Sequence, residues 1–177
     1  MTIHLETKRF LLREFEATDL QGVFELDSDP EVHRYLGNKP IKTLEEAEGM
    51  LEYIRDQYKN EGIGRWAVID KATEEFVGWS GLKYERVVRP DAPYYDIGYR
   101  LKRKFWGQGI ATETALAAIN YGFQKMELAE IFGGAHVDNL ASNHVLKKIG
   151  LRHLETFEFD GEPHHWYGLT REQFNAS

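Results

Sequence analysis

The chain contains no cysteine among its 177 residues. Disulfides, thiolate-ligated metal sites and a cysteine nucleophile are therefore excluded. Positive charge is also in short supply: 29 Asp and Glu residues against 22 Lys and Arg residues give a formal net charge of −7, which disfavours nucleic acid and anionic lipid as partners. No apolar run approaches the ~18 residues of a membrane span, and the N-terminal segment MTIHLETKRFLLREF lacks the apolar run of a signal peptide. We expect a cytoplasmic protein that binds neither nucleic acid nor membrane.

The composition, 42% hydrophobic and 13% aromatic, is sufficient for one globular domain spanning residues 1–177. Apolar periodicity predicts strands at 10–15, 65–70, 75–84, 94–101, 130–137, 151–159 and 164–169, and long helices at 43–60, 110–125 and 139–150. Thr18 is predicted to cap a short helix, and a second short helix is predicted to begin at Asp29. This order of elements indicates a mixed α+β fold.

The segment KFWGQGIATE, residues 104–113, places two glycines where a helix is about to begin. Glycine is costly to order, so a Gly-x-Gly pair suggests that a ligand approaches the backbone closely. The unpaired N–H groups and the positive dipole at a helix N-terminus suit phosphate oxygens. The segment does not match Gly-x-Gly-x-x-Gly, because position 112 is Thr, and no Gly-Lys-Ser/Thr follows it. An ordinary tight turn remains the alternative.

This segment resembles the acetyl-CoA diphosphate loop of the GNAT N-acetyltransferase superfamily, most closely the WGxGxATE form of ribosomal-protein N-terminal acetyltransferases. Three other segments match that subfamily in order: RFLLREFEATDL, DIGYRL and VDNLASNHVLKKIGL. The resemblance implies a mostly antiparallel, twisted sheet flanked by helices, with splayed central strands. It also implies an enzyme that transfers an acetyl group from acetyl-CoA to a primary amine in a ternary complex, without a metal.

By resemblance, the backbone of the loop holds the acetyl-CoA diphosphate. The residues concerned are Gly107, Gln108, Gly109, Ile110, Ala111 and Thr112. The preceding strand is expected to bind the pantetheine arm and the thioester carbonyl through Ile97, Gly98, Tyr99, Arg100 and Leu101. Lys104 stands where many members carry Arg or Gln, and it supplies charge without a planar fork. The basic residues near the loop are alternatively a solvated surface run, and Gly98 alternatively relieves packing.

Asn139 and Ser142 lie three residues apart on a predicted helix and share a face. The resemblance implies that Asn139 contacts the pantetheine arm and that Ser142 protonates, or donates a hydrogen bond to, the leaving thiolate. A helix N-cap for Asn139 and an ordinary helical serine are the alternatives. Asp96 is the first candidate for the general base, with a structural ion pair as its alternative. His136 is the second candidate, with a structural hydrogen bond as its alternative.

The acceptor is predicted to be a peptide N-terminus or a small amine such as a polyamine, amino acid or antibiotic. Residues 30–40, residues 84–95 and the terminal hairpin are expected to select it. The protein is expected to be a monomer or a homodimer. A non-catalytic acyl-CoA-binding module is the alternative function, and the presence of both Asn139 and Ser142 favours the enzyme. The pair His164-His165 does not indicate a metal site, because neighbouring strand residues face opposite ways.

Overall fold

The computed structural model describes residues 2–177. Eight strands form one sheet in the order β1-β2-β3-β4-β5-β6-β8-β7. The strands are β1 (Ile3–Glu6), β2 (Phe10–Arg13), β3 (Trp66–Asp70), β4 (Phe76–Glu85), β5 (Tyr94–Leu101), β6 (Glu130–His136), β7 (Arg152–Phe159) and β8 (Glu162–Thr170). All neighbouring pairs are antiparallel except β5 and β6, which run parallel. The predicted mixed, mostly antiparallel sheet is confirmed.

Helices cover both faces of this sheet. They are α1 (Leu20–Asp27), α2 (Leu44–Glu61), α3 (Ile110–Gln124), α4 (Leu140–Lys148) and α5 (Arg171–Asn175). Helices α1 and α2 share one core with β3 and β4, in which Leu26 and Leu51 pack with Ala67. Helices α3 and α4 share the other core, in which Ile119 and Leu146 are buried. Two separate apolar cores therefore fix the sheet between the helices.

Small residues let α3 lie close to the sheet. Ala115 and Ala118 are fully buried, and a Cβ built at Gly122 would come within 2.8 Å of side-chain carbons of Leu82 and Ile131. These three small residues lie on one stripe of the helix. Its consequence is that the N-terminus of α3 is held directly beside the end of β5.

The N-terminal third differs from the sequence prediction in three places. Strand β1 was not predicted: its residues, Ile3–Glu6, alternate apolar and polar, but four residues are the shortest run over which alternation indicates a strand. The first helical turn begins at Ala17 with Glu16 in the N-cap position, so Thr18 is not the cap. Asp29 accepts backbone bonds from Val32 and His33 without starting a helix. Across residues 2–177, none of the helices combines the length and apolar character that crossing a bilayer requires.

Candidate active site

Strands β5 and β6 diverge and leave a gap in the middle of the sheet. Strand β5 pairs with β4 at eight positions, from Gly78 opposite Leu101 to Glu85 opposite Tyr94. Towards β6, within the described residues, it pairs at Asp96 opposite Phe132 alone. The backbone of β5 beyond Asp96 therefore turns one side to the gap, where its N–H and C=O groups are available to a ligand. This is the arrangement of splayed central strands that the resemblance implied.

The glycine turn lies at the C-terminal end of β5. Gly107 and Gly109 have φ angles of +73° and +76°, a left-handed conformation that favours glycine. A Cβ at Gly107 would meet no atom of residues 2–177 within 4 Å, so this turn is open to a ligand. Glu113 N donates to Gly109 O at 3.1 Å, which places the N–H groups of 110–112 ahead of the first helical bond. The turn therefore fits a diphosphate.

Two side chains hold the glycine turn in place: Trp106, within the turn segment, and Arg9, which precedes β2. Trp106 Nε1 donates to Leu101 O at 2.9 Å, which folds the chain back onto the end of β5. Arg9 Nη2 donates to Gln108 O at 3.0 Å, and Arg9 Nε donates to Glu113 Oε2 at 2.7 Å. Arg9 is the first residue of RFLLREFEATDL, one of the segments that resemble the family. No function could be predicted for Arg9 from the sequence, because no neighbouring residue indicates that it reaches the turn.

Two predicted donor-binding side chains are engaged elsewhere. Lys104 Nζ forms an ion pair with Glu75. Arg100 Nη1 donates to the buried Asp27 at 2.7 Å. The Arg100 side chain is therefore already paired, and its backbone groups are what β5 offers to a ligand at this position. Ile97 and Leu101 are buried in the α3-side core, so they too present only backbone groups.

Ser142 of α4 and Tyr99 of β5 contact each other through their side chains. Their hydroxyl oxygens are 2.9 Å apart, and Tyr99 Oη also lies 3.0 Å from Ser142 O. Burial raises the pKa of Tyr99 above its ordinary value, although the hydrogen bond to Ser142 opposes this. Tyr99 therefore remains a neutral phenol and serves as a hydrogen-bond donor. Asn139 caps α4 by accepting from Ser142 N at 3.2 Å, the structural alternative named for it.

Asp96 forms an ion pair with Arg65, as its alternative interpretation proposed. Arg65 Nη1 also donates to Asp96 O at 2.8 Å and to Gly81 O at 2.6 Å. Burial raises the pKa of Asp96, and the positive charge of Arg65 opposes the increase. A Cβ at Gly98 would lie 2.8 Å from Arg65 Nη2, so Gly98 makes room for this guanidinium.

His136 has both ring nitrogens engaged. Its Nδ1 accepts from Asp138 N at 3.0 Å, and its Nε2 lies 3.2 Å from Glu162 Oε2. In the neutral ring the proton must therefore sit on Nε2, with the Nδ1 lone pair already used. To act as a base, His136 would have to break the bond from Asp138. The Asp96 carboxylate is likewise engaged, by Arg65.

The predicted acceptor segments 30–40 and 84–95 each contact the C-terminal strands of the sheet. Tyr35 from the α1–α2 connection packs 5.5 Å, centroid to centroid, from the ring of His136. Asp27 anchors that connection by pairing with His33 at 2.9 Å. A separate cavity of about 410 Å³, whose lining includes Tyr84, Tyr94 and Trp166, lies at the other end of β5.

His164 and His165 do point in opposite directions. His164 lies against His136, with ring centroids 5.5 Å apart, whereas His165 Nδ1 is 3.1 Å from His153 Nε2. Across the described chain, no cluster of three or more His, Asp or Glu side chains is placed to share a metal ion.

Residues 9–152 match the acetyltransferase (GNAT) domain family. An uncharacterized N-acetyltransferase of Bacillus subtilis (strain 168), YoaA, is 30% identical over 153 residues, which cover 84% of this chain and 82% of the relative. The FsC-acetyl coenzyme A-N(2)-transacetylase of Aspergillus fumigatus is 32% identical over 185 residues, covering 96% of this chain and 77% of the relative.

A solved structure shares the fold over nearly its whole length. The GNAT-family acetyltransferase of Bacillus anthracis superposes with a TM-score of 0.79 at 28% identity, and the match covers 97% of this chain and 99% of that one. The parallel β5–β6 pair and the glycine turn before α3 therefore lie in a fold shared with an acetyltransferase.

Proposed function

Since the chain belongs to the acetyltransferase (GNAT) domain family and is an acetyl-transfer enzyme, we propose that it acetylates a primary amine by direct attack on acetyl-CoA in a ternary complex. The observation that carries the proposal is the gap between β5 and β6, which has the glycine turn at one end and the Tyr99–Ser142 pair beside it. The absence of cysteine supports direct transfer, because it removes the most nucleophilic side chain that could carry an acyl group.

We propose that three groups of residues hold the donor. The N–H groups of 107–112 take the diphosphate, and the free edge of residues 97–101 takes the pantetheine arm and the carbonyl. Asn139 borders the arm where it caps α4. The donor supplies an activated acetyl group and a thiolate leaving group. A β5 N–H directed at the carbonyl stabilises the negative charge that develops on its oxygen.

Two residues are proposed to transfer protons: Ser142 to the leaving thiolate, and Asp96 from the acceptor amine. Ser142 donates its hydroxyl hydrogen towards the departing sulfur, and the Tyr99 hydroxyl, which lies within hydrogen-bond distance of both Ser142 Oγ and Ser142 O, orients the serine. Asp96 collects the proton of the acceptor amine through water, because Arg65 occupies the carboxylate directly. The raised pKa of Asp96 favours this exchange.

For the acceptor, we propose the α-amino group of a protein, as in the ribosomal-protein N-terminal acetyltransferases whose four motifs this chain resembles. The test is a panel of peptide N-termini, spermidine, amino acids and aminoglycosides, with acetylated products identified by mass spectrometry. Preference for a peptide N-terminus is expected. Calorimetry with acetyl-CoA is run in parallel, and donor binding without transfer to any of these amines would contradict the proposal.

Initial-rate kinetics test the ternary complex. Varying both substrates should give intersecting double-reciprocal lines. Parallel lines, or an acetylated protein trapped in the absence of acceptor, would contradict direct transfer.

A further inference from the structure

Arg9 connects the beginning of β2 to the glycine turn, although the two segments are distant in sequence. Its backbone N–H donates to Glu113 Oε1 at 3.1 Å and its Nε donates to Glu113 Oε2 at 2.7 Å. Its Nη2 donates to Gln108 O at 3.0 Å. One residue therefore holds both oxygens of a carboxylate in the first turn of α3 and a carbonyl at the middle of the turn.

The bond to Gln108 O determines where the next amide points. In a trans peptide, the carbonyl oxygen and the following N–H lie on opposite sides of the peptide unit. With Gln108 O directed at Arg9, the N–H of Gly109 is directed away from Arg9. Gly109 lacks a Cβ and adopts a φ of +76°, so its own sterics do little to hold this peptide in one orientation, and the bond from Arg9 adds a restraint.

Arg9 also compensates a charge that would oppose an anion. Burial acts to raise the pKa of Glu113, but hydrogen bonds from Thr7 and Arg9 outweigh it, and the pKa lies below its ordinary value. Glu113 is therefore an anion one turn from the amides of 110–112. Lys104 does not provide this compensation, because it pairs with Glu75. The Arg9 side chain is 42% exposed, so part of its guanidinium faces solvent beside the turn.

We propose that Arg9 is a positioning residue for the diphosphate of the acyl donor. It orients the Gly109 amide through Gln108 O and neutralises Glu113 next to the bound phosphates. This inference rests on the proposed function, since it requires acetyl-CoA as the donor.

The test compares two donors that differ in the diphosphate. Arg9→Gln should raise the Kd of acetyl-CoA about ten-fold, as expected for one charge-assisted interaction. The KM of S-acetyl-pantetheine, which lacks the diphosphate, should stay within about two-fold of the wild-type value because the interaction involves the phosphates. Glu113→Gln in the Arg9→Gln background should recover part of the lost affinity, because it removes the uncompensated carboxylate.

Lys8→Gln is the matched control, because it removes the same charge from the neighbouring exposed position. Its Kd for acetyl-CoA should match the wild type. If Arg9→Gln does not fold, Arg9→Lys should show the same donor selectivity with a smaller loss. An unchanged Kd, or equal losses with both donors, would overturn the inference. A wild-type protein that does not bind acetyl-CoA would instead overturn the proposed function.

Discussion

Replacing Ser142 by alanine separates chemistry from donor binding. The hydroxyl of Ser142 lies 2.9 Å from the phenolic oxygen of Tyr99, and its backbone N–H is held by Asn139 at 3.2 Å. The substitution removes the hydroxyl while leaving that cap in place. Because the hydrogen bond to the sulfur strengthens only as the thiolate departs, Ser142→Ala should lower kcat with little change in acetyl-CoA affinity.

The size of the loss follows from what replaces the hydroxyl. General acid catalysis contributes ~10²- to 10⁴-fold, and a water molecule can partly substitute for a small side chain. We therefore expect a loss of about 10- to 100-fold in kcat, equivalent to ~1.4 to 2.7 kcal/mol in the barrier. Tyr99→Phe should lower kcat by a smaller factor, because it only allows the serine hydroxyl to reorient.

A double-mutant cycle provides the assay. If Tyr99 acts through Ser142, the double variant should be no slower than Ser142→Ala alone. Steady-state kinetics supply kcat, and calorimetry supplies the Kd of acetyl-CoA. Additive losses would show that Tyr99 acts independently. A higher Kd with unchanged kcat would assign Ser142 to binding, and no effect on either would refute its catalytic role.

Three further outcomes are expected. Gly109→Val should raise the Kd of acetyl-CoA at least ~10-fold by calorimetry. Gly62→Val, a change at a similar φ of +72° at the C-cap of α2, should cost stability without affecting the Kd. Asn139→Ala should weaken donor binding more than it lowers kcat, and equal kcat loss would contradict its assignment. Asp19→Asn should lower the free energy of unfolding, measured in urea, by about 3 kcal/mol, because Arg13 donates to both Asp19 oxygens at 2.8 Å in a buried site. A loss below ~1 kcal/mol would show that this pair contributes no more than a surface ion pair does.

Features encoded within a few residues could be predicted from the sequence. Gly107 and Gly109 both adopt positive φ, and the helix after them begins at Ile110 as expected. Asn139 occupies the N-cap that its position before an apolar run suggested. Each of these depends on local backbone conformation, so the spacing of residue types is sufficient to identify it. Strand β1 shows the limit, since its pairing with β2 depends on a neighbour rather than on its own pattern.

Contacts between distant segments could not be predicted in this way. Arg9 and Glu113 are 104 residues apart, and both were visible only as members of separate motifs. A single sequence does not show which of its cations reaches the turn. Lys104 was the nearer choice by position, yet the sheet order places Glu75 beside it. The amides of the proposed diphosphate site therefore come from one local segment, whereas its charged residues come from distant segments.

The general base depends on the same non-local contacts. The sequence identified Asp96 by its place in β5, but its behaviour as a base depends on Arg65, just before β3. Arg65 is held by the backbone oxygens of Gly81 and Asp96 as well as by the Asp96 carboxylate. A guanidinium fixed by three oxygens from two strands cannot move aside without leaving buried groups unpaired. In the proposed mechanism the amine proton therefore reaches Asp96 through water, and the contacts that hold Arg65 determine how readily Asp96 accepts it.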